Sequence, residues 1–261
     1  MSTLLHPSLI RYIQHLSDMR IGNVPFIPAL PLTEIIKALL NVHAYRSALG
    51  EQHVKQVTWL QGFLVCIVLG SAGSCTVALI RGEPLGVIYN DEFWITYGIV
   101  YWLIFSNDFM HSLIRSLFST FPSVQRLCIG LSGVNRGYSL VKYGFDGVTK
   151  SAAGIDTIVG RLLCGTIVGC GAGFWFELFS LGKPEWKLIT PKSFLSPSAN
   201  VKISFWTSVA YLAFSSYLND DHEAHAMGSL TFALLLVWNH CHISNKSRIA
   251  DAQRVKQGKA D

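Results

Sequence analysis

Long unbroken apolar blocks constrain this chain more than any other feature. A helix needs about 20 mainly apolar residues to cross the hydrocarbon core of a bilayer, and roughly 17 to 25 are acceptable. Six blocks meet this or fall one residue short of it: Thr58–Ile80, Phe93–Ile114, Val124–Tyr143, Ile155–Phe179, Ile203–Leu218 and Ala224–Ile243. A seventh, Phe26–Ala44, is interrupted by Pro28, Pro31, Glu34 and Lys37, and an interfacial amphipathic helix is its competing reading. A soluble domain would instead spread its apolar residues at helix or strand period. Only 14% of the residues are charged, against about 25% in soluble proteins. Disorder, a collagen-like repeat and a disulfide-rich module are all disfavoured. The expected class is an all-α membrane protein of seven transmembrane helices.

The net charge of +5 does not indicate a nucleic-acid partner. Basic residues stand singly between apolar blocks, and the one dense run is Lys246, Arg248, Arg254, Lys256 and Lys259. No nucleic-acid motif accompanies that run, and a cytoplasmic tail beside anionic lipid accounts for it. Cys66, Cys75, Cys128, Cys164, Cys170 and Cys241 form no C-x-x-C pair and read as small apolar residues. Met1 to Asp18 carries no apolar core of a cleaved signal peptide, so the first spans are expected to direct insertion.

Lysine and arginine are enriched in cytoplasmic loops, which orients the spans. Seven spans with the C-terminus inside place Arg46, Lys55, Arg115, Arg126, Lys183, Lys187, Lys192, Lys202 and the tail in the cytoplasm. The opposite side holds only Arg11, Arg20, Arg81, Lys142, Lys150 and Arg161, and collects most of the loop acids. The expected division is a non-cytoplasmic segment at 1–25, a channel-like domain at 26–243 and a basic tail at 244–261.

An internal repeat is legible. Gly73, Gly82 and Pro84 recur one hundred positions later as Gly173, Gly182 and Pro184, each time where a glycine-rich helix meets a Gly-x-Pro exit. A three-helix unit at about 26–114 would then be repeated at about 124–218, with 224–243 as a seventh helix. An odd number of helices per unit inverts the second copy, and inverted repeats carry a solute path at their interface.

Glycines and charges within the spans locate that path. Gly165, Gly169 and Gly173 follow at i, i+4 and i+8 with Gly171 between, and Gly130, Gly133 and Gly137 make a second small-residue face. Close helix packing explains both; a helix that opens beside a pore, as Gly70, Gly73, Gly169, Gly171 and Gly173 would allow, is the functional alternative. Arg136 lies ten residues beyond Arg126, roughly 15 Å deep at about 1.5 Å per residue. A charge near midplane costs about 2.5 to 3.5 kcal/mol on insertion scales. It is expected to face a wet cavity or a phosphate, or to pair with Asp108; Asn135 beside it is a further polar partner. Asp108 could equally pair with Arg115. His222, His225, His240 and His242 assemble no metal site, and no nucleophile or phosphate-loop motif is present, so an enzyme is not expected.

In this context several strings resemble the trimeric intracellular cation channels of the endoplasmic and sarcoplasmic reticulum. They are Gly82-Glu83-Pro84-Leu85, Tyr101-Trp102-Leu103-Ile104-Phe105-Ser106-Asn107-Asp108, Val134-Asn135-Arg136, Gly169 to Gly173, and Ser196-Pro197-Ser198-Ala199-Asn200-Val201-Lys202. The resemblance covers roughly residues 25 to 243. It implies a homotrimer with one pore per protomer, passing potassium ions to balance charge when calcium leaves a store. It also implies a membrane phosphoinositide held by a basic pair in a Lys-Glu-Val-x-Arg motif. Here that stretch reads Ser132-Gly133-Val134-Asn135-Arg136, keeping the arginine but not the lysine. One cation in place of two weakens the hold on a polyanion, unless another cation such as Lys142 substitutes. Membership implies an endoplasmic or sarcoplasmic reticulum or nuclear membrane location, although no Lys-Asp-Glu-Leu signal ends the chain. A small-solute transporter and a non-conducting scaffold are the alternative readings.

Overall fold

Apolar sequence becomes helix because, away from water, only internal hydrogen bonding satisfies the backbone. The computed structural model describes residues 7–22, 28–218 and 220–257, and these are predominantly helical. An amphipathic helix α1 (Pro7–Asp18) is followed by a two-residue antiparallel pairing of Arg20–Ile21 with Leu30–Pro31. Then come α2 (Leu32–Val54), α3 (Trp59–Ile80), α4 (Asp91–Ile104), α5 (Asp108–Thr120) and α6 (Pro122–Ser139). After α6 the chain widens into a π-helical segment, Leu140–Asp146, and one further turn. The rest is α7 (Ile158–Leu178), α8 (Ala199–Tyr217) and α9 (Asp221–Gln257), with short turns between.

Among the described residues, three helical stretches are long and apolar enough to cross a membrane by length and composition alone: Trp59–Ile80, Ile158–Leu178 and Asp221–Lys246. The outer surface is apolar as well, with Leu79, Trp102, Leu127, Ile158, Trp206 and Trp238 all exposed. Lipid satisfies such a surface and water does not. The protein is an all-α membrane fold.

Two cores hold the halves together. The first joins α2, α3 and α4 through Val42, Tyr45, Val65, Tyr97, Tyr101 and Phe105. The second joins the π segment, α8 and α9 through Leu140, Val141, Phe145, Tyr211 and Phe232. Between them α3 and α7 cross antiparallel: Gln61 meets Pro184 near one end, and Val77 packs with Cys164 toward the other. At the crossing, a Cβ on Gly171 would lie 2.6 Å from Gly73 Cα, and one on Gly73 would strike the Val168 carbonyl. Only glycines allow this backbone-to-backbone approach. The Gly130, Gly133 and Gly137 face is likewise filled, by Val237, Ala233 and Ser229 of α9.

The boundaries depart from the sequence expectation in several places. The block Phe93–Ile114 is not one helix: it breaks at Ser106–Asn107, where the Asn107 side chain caps α5 by accepting from the Met110 amide at 3.2 Å. The first span starts at Leu32 rather than Phe26, because Leu30–Pro31 is extended; Phe26 itself lies outside the described residues. The final helix runs unbroken through the basic segment to Gln257, while Lys259 lies outside the described residues.

The repeat is also shifted. Thr58 and Thr157 cap the two crossing helices, each accepting from the amide three residues on. Both helices end in the same reverse turn, with Gly82 and Ser180 as its left-handed residues at φ 68° and 51°. Glu83 N donates to Ala78 O, and Leu181 N to Phe176 O, closing the two turns alike. The caps Thr58 and Thr157 stand 99 positions apart, and Gly82 and Ser180 stand 98 apart, as do Gly73 and Gly171 at the crossing. Matching Gly82 with Gly182 is therefore two residues out of register; Gly182 packs on Phe176 instead.

Candidate functional site

Helix α2 is the starting point, because it carries a polar stripe through an otherwise apolar wall. Lys37, Asn41, Ala44 and Ala48 follow at helical spacing and face a cavity of about 310 Å³. α3 contributes Gly70, Gly73 and Ser74, α6 contributes Arg136 and Ser139, α7 contributes Gly169 and Gly173, and α8 adds Asn200. Two smaller cavities continue from it, of about 220 and 280 Å³. The second is lined by Glu34, Lys37, Ser74, Arg81, Glu83 and Asn90 among others. The third is lined by Arg20, Glu34, Glu92, Asn135 and Lys142 among others. Ser139 lines all three. The first cavity reaches the α8 N-terminus, and the other two reach the loop that follows α3 at the opposite end.

Arg136 donates from Nη2 to the Gly169 carbonyl at 2.5 Å, and its guanidinium lies 5.0 Å from the centre of the Phe232 ring. Gly169 is midway along the 21-residue α7, so the charge sits at mid-depth of the bundle. Its second basic neighbour is Lys37, contributed by α2. No acidic side chain is among the described residues lining this first cavity. Lys37 Nζ reaches back to Glu34 Oε1 at 3.1 Å, and Asn135 Nδ2 donates to Glu34 Oε2 and to Thr33 Oγ1, each at 3.2 Å.

The sequence-predicted residues divide. Arg136, Gly70, Gly73, Gly169 and Gly173 are brought together around one cavity. Gly171 faces away from it, against the backbone of Gly73. Asn135 faces Glu34 instead of the Arg136 cavity. Lys142 does not join Arg136: the π segment turns it into the third cavity, over the rings of Tyr138 and Tyr143. Asp108 pairs with neither Arg136 nor Arg115. Its partner is Arg46, which also donates to the carbonyls of Ile104 at 2.6 Å and Phe105 at 2.8 Å, closing the C-terminal end of α4. Arg46 is thus a buried structural cation and not a loop charge.

Sequence reasoning missed Lys37 as a site residue. It entered with Glu34 as a charged pair interrupting a weak apolar block, open between a structural and a functional role, and was not placed beside Arg136. Its signal was the helical spacing of Lys37, Asn41, Ala44 and Ala48, which puts a polar and small-residue stripe on one face of α2.

No family model and no curated protein matches this chain by sequence. Solved structures do match. A trimeric intracellular cation channel from C. elegans determined in the absence of Ca2+ is similar over 90% of this chain and 97% of its own, at 19% identity and TM-score 0.68. The C. elegans channel with bound Ca2+ is similar over 91% of this chain and 98% of its own, at 20% identity and TM-score 0.67. A structure from work on the activity of TRIC counter-ion channels in calcium release matches 79% of this chain and 91% of its own, at 20% identity and TM-score 0.61. Across nearly its whole length, then, this chain has the fold of the trimeric intracellular cation channels.

Proposed function

We propose that the chain is a potassium-permeable cation channel that conducts through each protomer of a homotrimer. One observation carries this reading: three cavities that share lining residues, each with charged side chains in its wall, follow α2 inside a bundle whose outer surface is apolar. Polar side chains at membrane depth are costly unless they line water or a solute path. The structural likeness to trimeric intracellular cation channels supports a channel over an enzyme, and supports three copies.

A negatively charged lipid head group is the natural complement of the first cavity. Lys37 and Arg136 supply two cations there with no lining acid, so a phosphate would neutralise a stretch that otherwise repels potassium. Lys37 thereby takes the place of the lysine absent at Ser132, and a phosphoinositide is the lipid we assign. The basic loops orient the N-terminus away from the cytoplasm and the C-terminus toward it. An intracellular store membrane, with counter-ion flux during calcium release, fits this reading.

The test is planar-bilayer recording of the purified chain in asymmetric potassium chloride, with phosphoinositide present. Discrete openings that reverse near the potassium potential are expected, and Arg136→Ala should reduce open probability or amplitude. Silence from well-folded protein overturns the reading.

A further inference from the structure

Lys37 lines the first and second cavities, Glu34 lines the second and third, and the two side chains are paired at 3.1 Å. Any ion moving between the two ends of the bundle along these cavities passes this pair. Both side chains are largely shielded, 14% exposed for Lys37 and 17% for Glu34. Asn135 fixes the carboxylate from α6 through Glu34 Oε2. We infer that Glu34 is the cation-selecting group of the path and that Lys37 is its tethered counter-ion. This inference rests on the channel reading.

The chemistry is exchange of one cation for another at a carboxylate. Glu34 Oε2 is held by the Asn135 amide at 3.2 Å, whereas Lys37 reaches both oxygens, Oε1 at 3.1 Å and Oε2 at 3.4 Å, through a flexible four-carbon stem on the next helical turn, leaving Oε1 with Lys37 as its partner. An arriving alkali ion competes for Oε1; Lys37 then swings toward the first cavity, which it already lines, and returns as the ion leaves. The acids Glu83 and Glu92 stand farther toward the loops. Of the two acids among the described residues lining the second cavity, Glu83 is paired with Arg81, and Glu34 stands beside Lys37, which reaches into the first cavity.

Reversal potentials in asymmetric potassium chloride test this, with wild type beside Glu34→Gln, Lys37→Met and the double variant. Glu34→Gln leaves Lys37 unopposed in the path, and the potassium-to-chloride permeability ratio is expected to fall about tenfold, as a single uncompensated charge within a few ångströms dictates. Lys37→Met frees the carboxylate but also removes a lipid-binding cation, so the ratio measured in the openings that remain should rise even where open probability falls. The double variant carries neither charge, should fold as wild type by size-exclusion profile, and should lose selectivity without gaining an anion preference. Glu185→Gln, in the exposed Glu185–Lys187 pair, is the control expected to change nothing. Wild-type currents whose selectivity is the same in Glu34→Gln and the double variant overturn this inference and leave the channel reading intact. A silent wild type overturns both.

Discussion

Arg46 and Asp108 share one ion pair but contribute very differently, because the Arg46 side chain is 1% exposed and the Asp108 carboxylate 89%. Water already solvates the carboxylate, so the pair itself is worth little. The carbonyls of Ile104 and Phe105 have no such alternative, and the Arg46 guanidinium satisfies both at the end of α4. Arg46→Ala is therefore expected to cost about 2 to 4 kcal/mol, since it leaves buried acceptors unpaired. Asp108→Asn is expected to stay within about 1 kcal/mol. Thermal unfolding of the two variants in detergent checks the contrast; equal losses would show that the ion pair, not the carbonyl cap, holds the α4–α5 break. The sequence placed Asp108 near the end of a span but could not identify its partner, which lies 62 positions away.

Among the helices, the α3–α7 crossing assigns different duties to glycines that look alike in sequence. Gly73 and Gly171 touch backbone to backbone, whereas a Cβ on Gly173 would meet nothing within 4 Å. Gly73→Ala or Gly171→Ala should each destabilise by about 1 to 3 kcal/mol as the helices are pushed apart. Gly173→Ala should leave the melting temperature unchanged while narrowing the first cavity, so its effect should appear in conductance. Melting curves and single-channel amplitudes separate the two classes; a Gly173 variant that melts early would place it in the packing set. That one helix face would be side-chain-free was legible from the i, i+4, i+8 spacing. Which of its members meets a helix and which meets a cavity depends on the crossing point, and hence on a contact between residues about 98 positions apart.

For the whole molecule, the apolar exterior and polar interior imply two distinct aqueous ends. Asp91, at the start of α4, and Glu185, beyond the end of α7, lie at opposite ends of the antiparallel pair of repeats and are both exposed. Cysteines introduced at these two positions, in a background with the native cysteines replaced, should label from opposite sides of sealed vesicles with a membrane-impermeant maleimide. Labelling of both from one side would refute the inverted arrangement. The pairing of Gln61 with Pro184 at one end of the crossing, and of Val77 with Cys164 toward the other, is the structural ground for this expectation.

The sequence alone determined that this chain is helical and lives in a membrane, because block length against bilayer thickness is a local property that needs no knowledge of neighbours. It also singled out Arg136, since a charge at that depth in an apolar block is costly wherever it points. Only the tertiary structure decided that Lys37, not Lys142, shares the Arg136 cavity, that Asn135 serves Glu34, and that the repeat runs at 98 to 99 positions rather than 100. Each of these depends on which faces of distant helices meet. A shift of two residues turns a helix face by about 200°, at 3.6 residues per turn, so a repeat read from matching letters can miss its register while the architecture it suggests still holds.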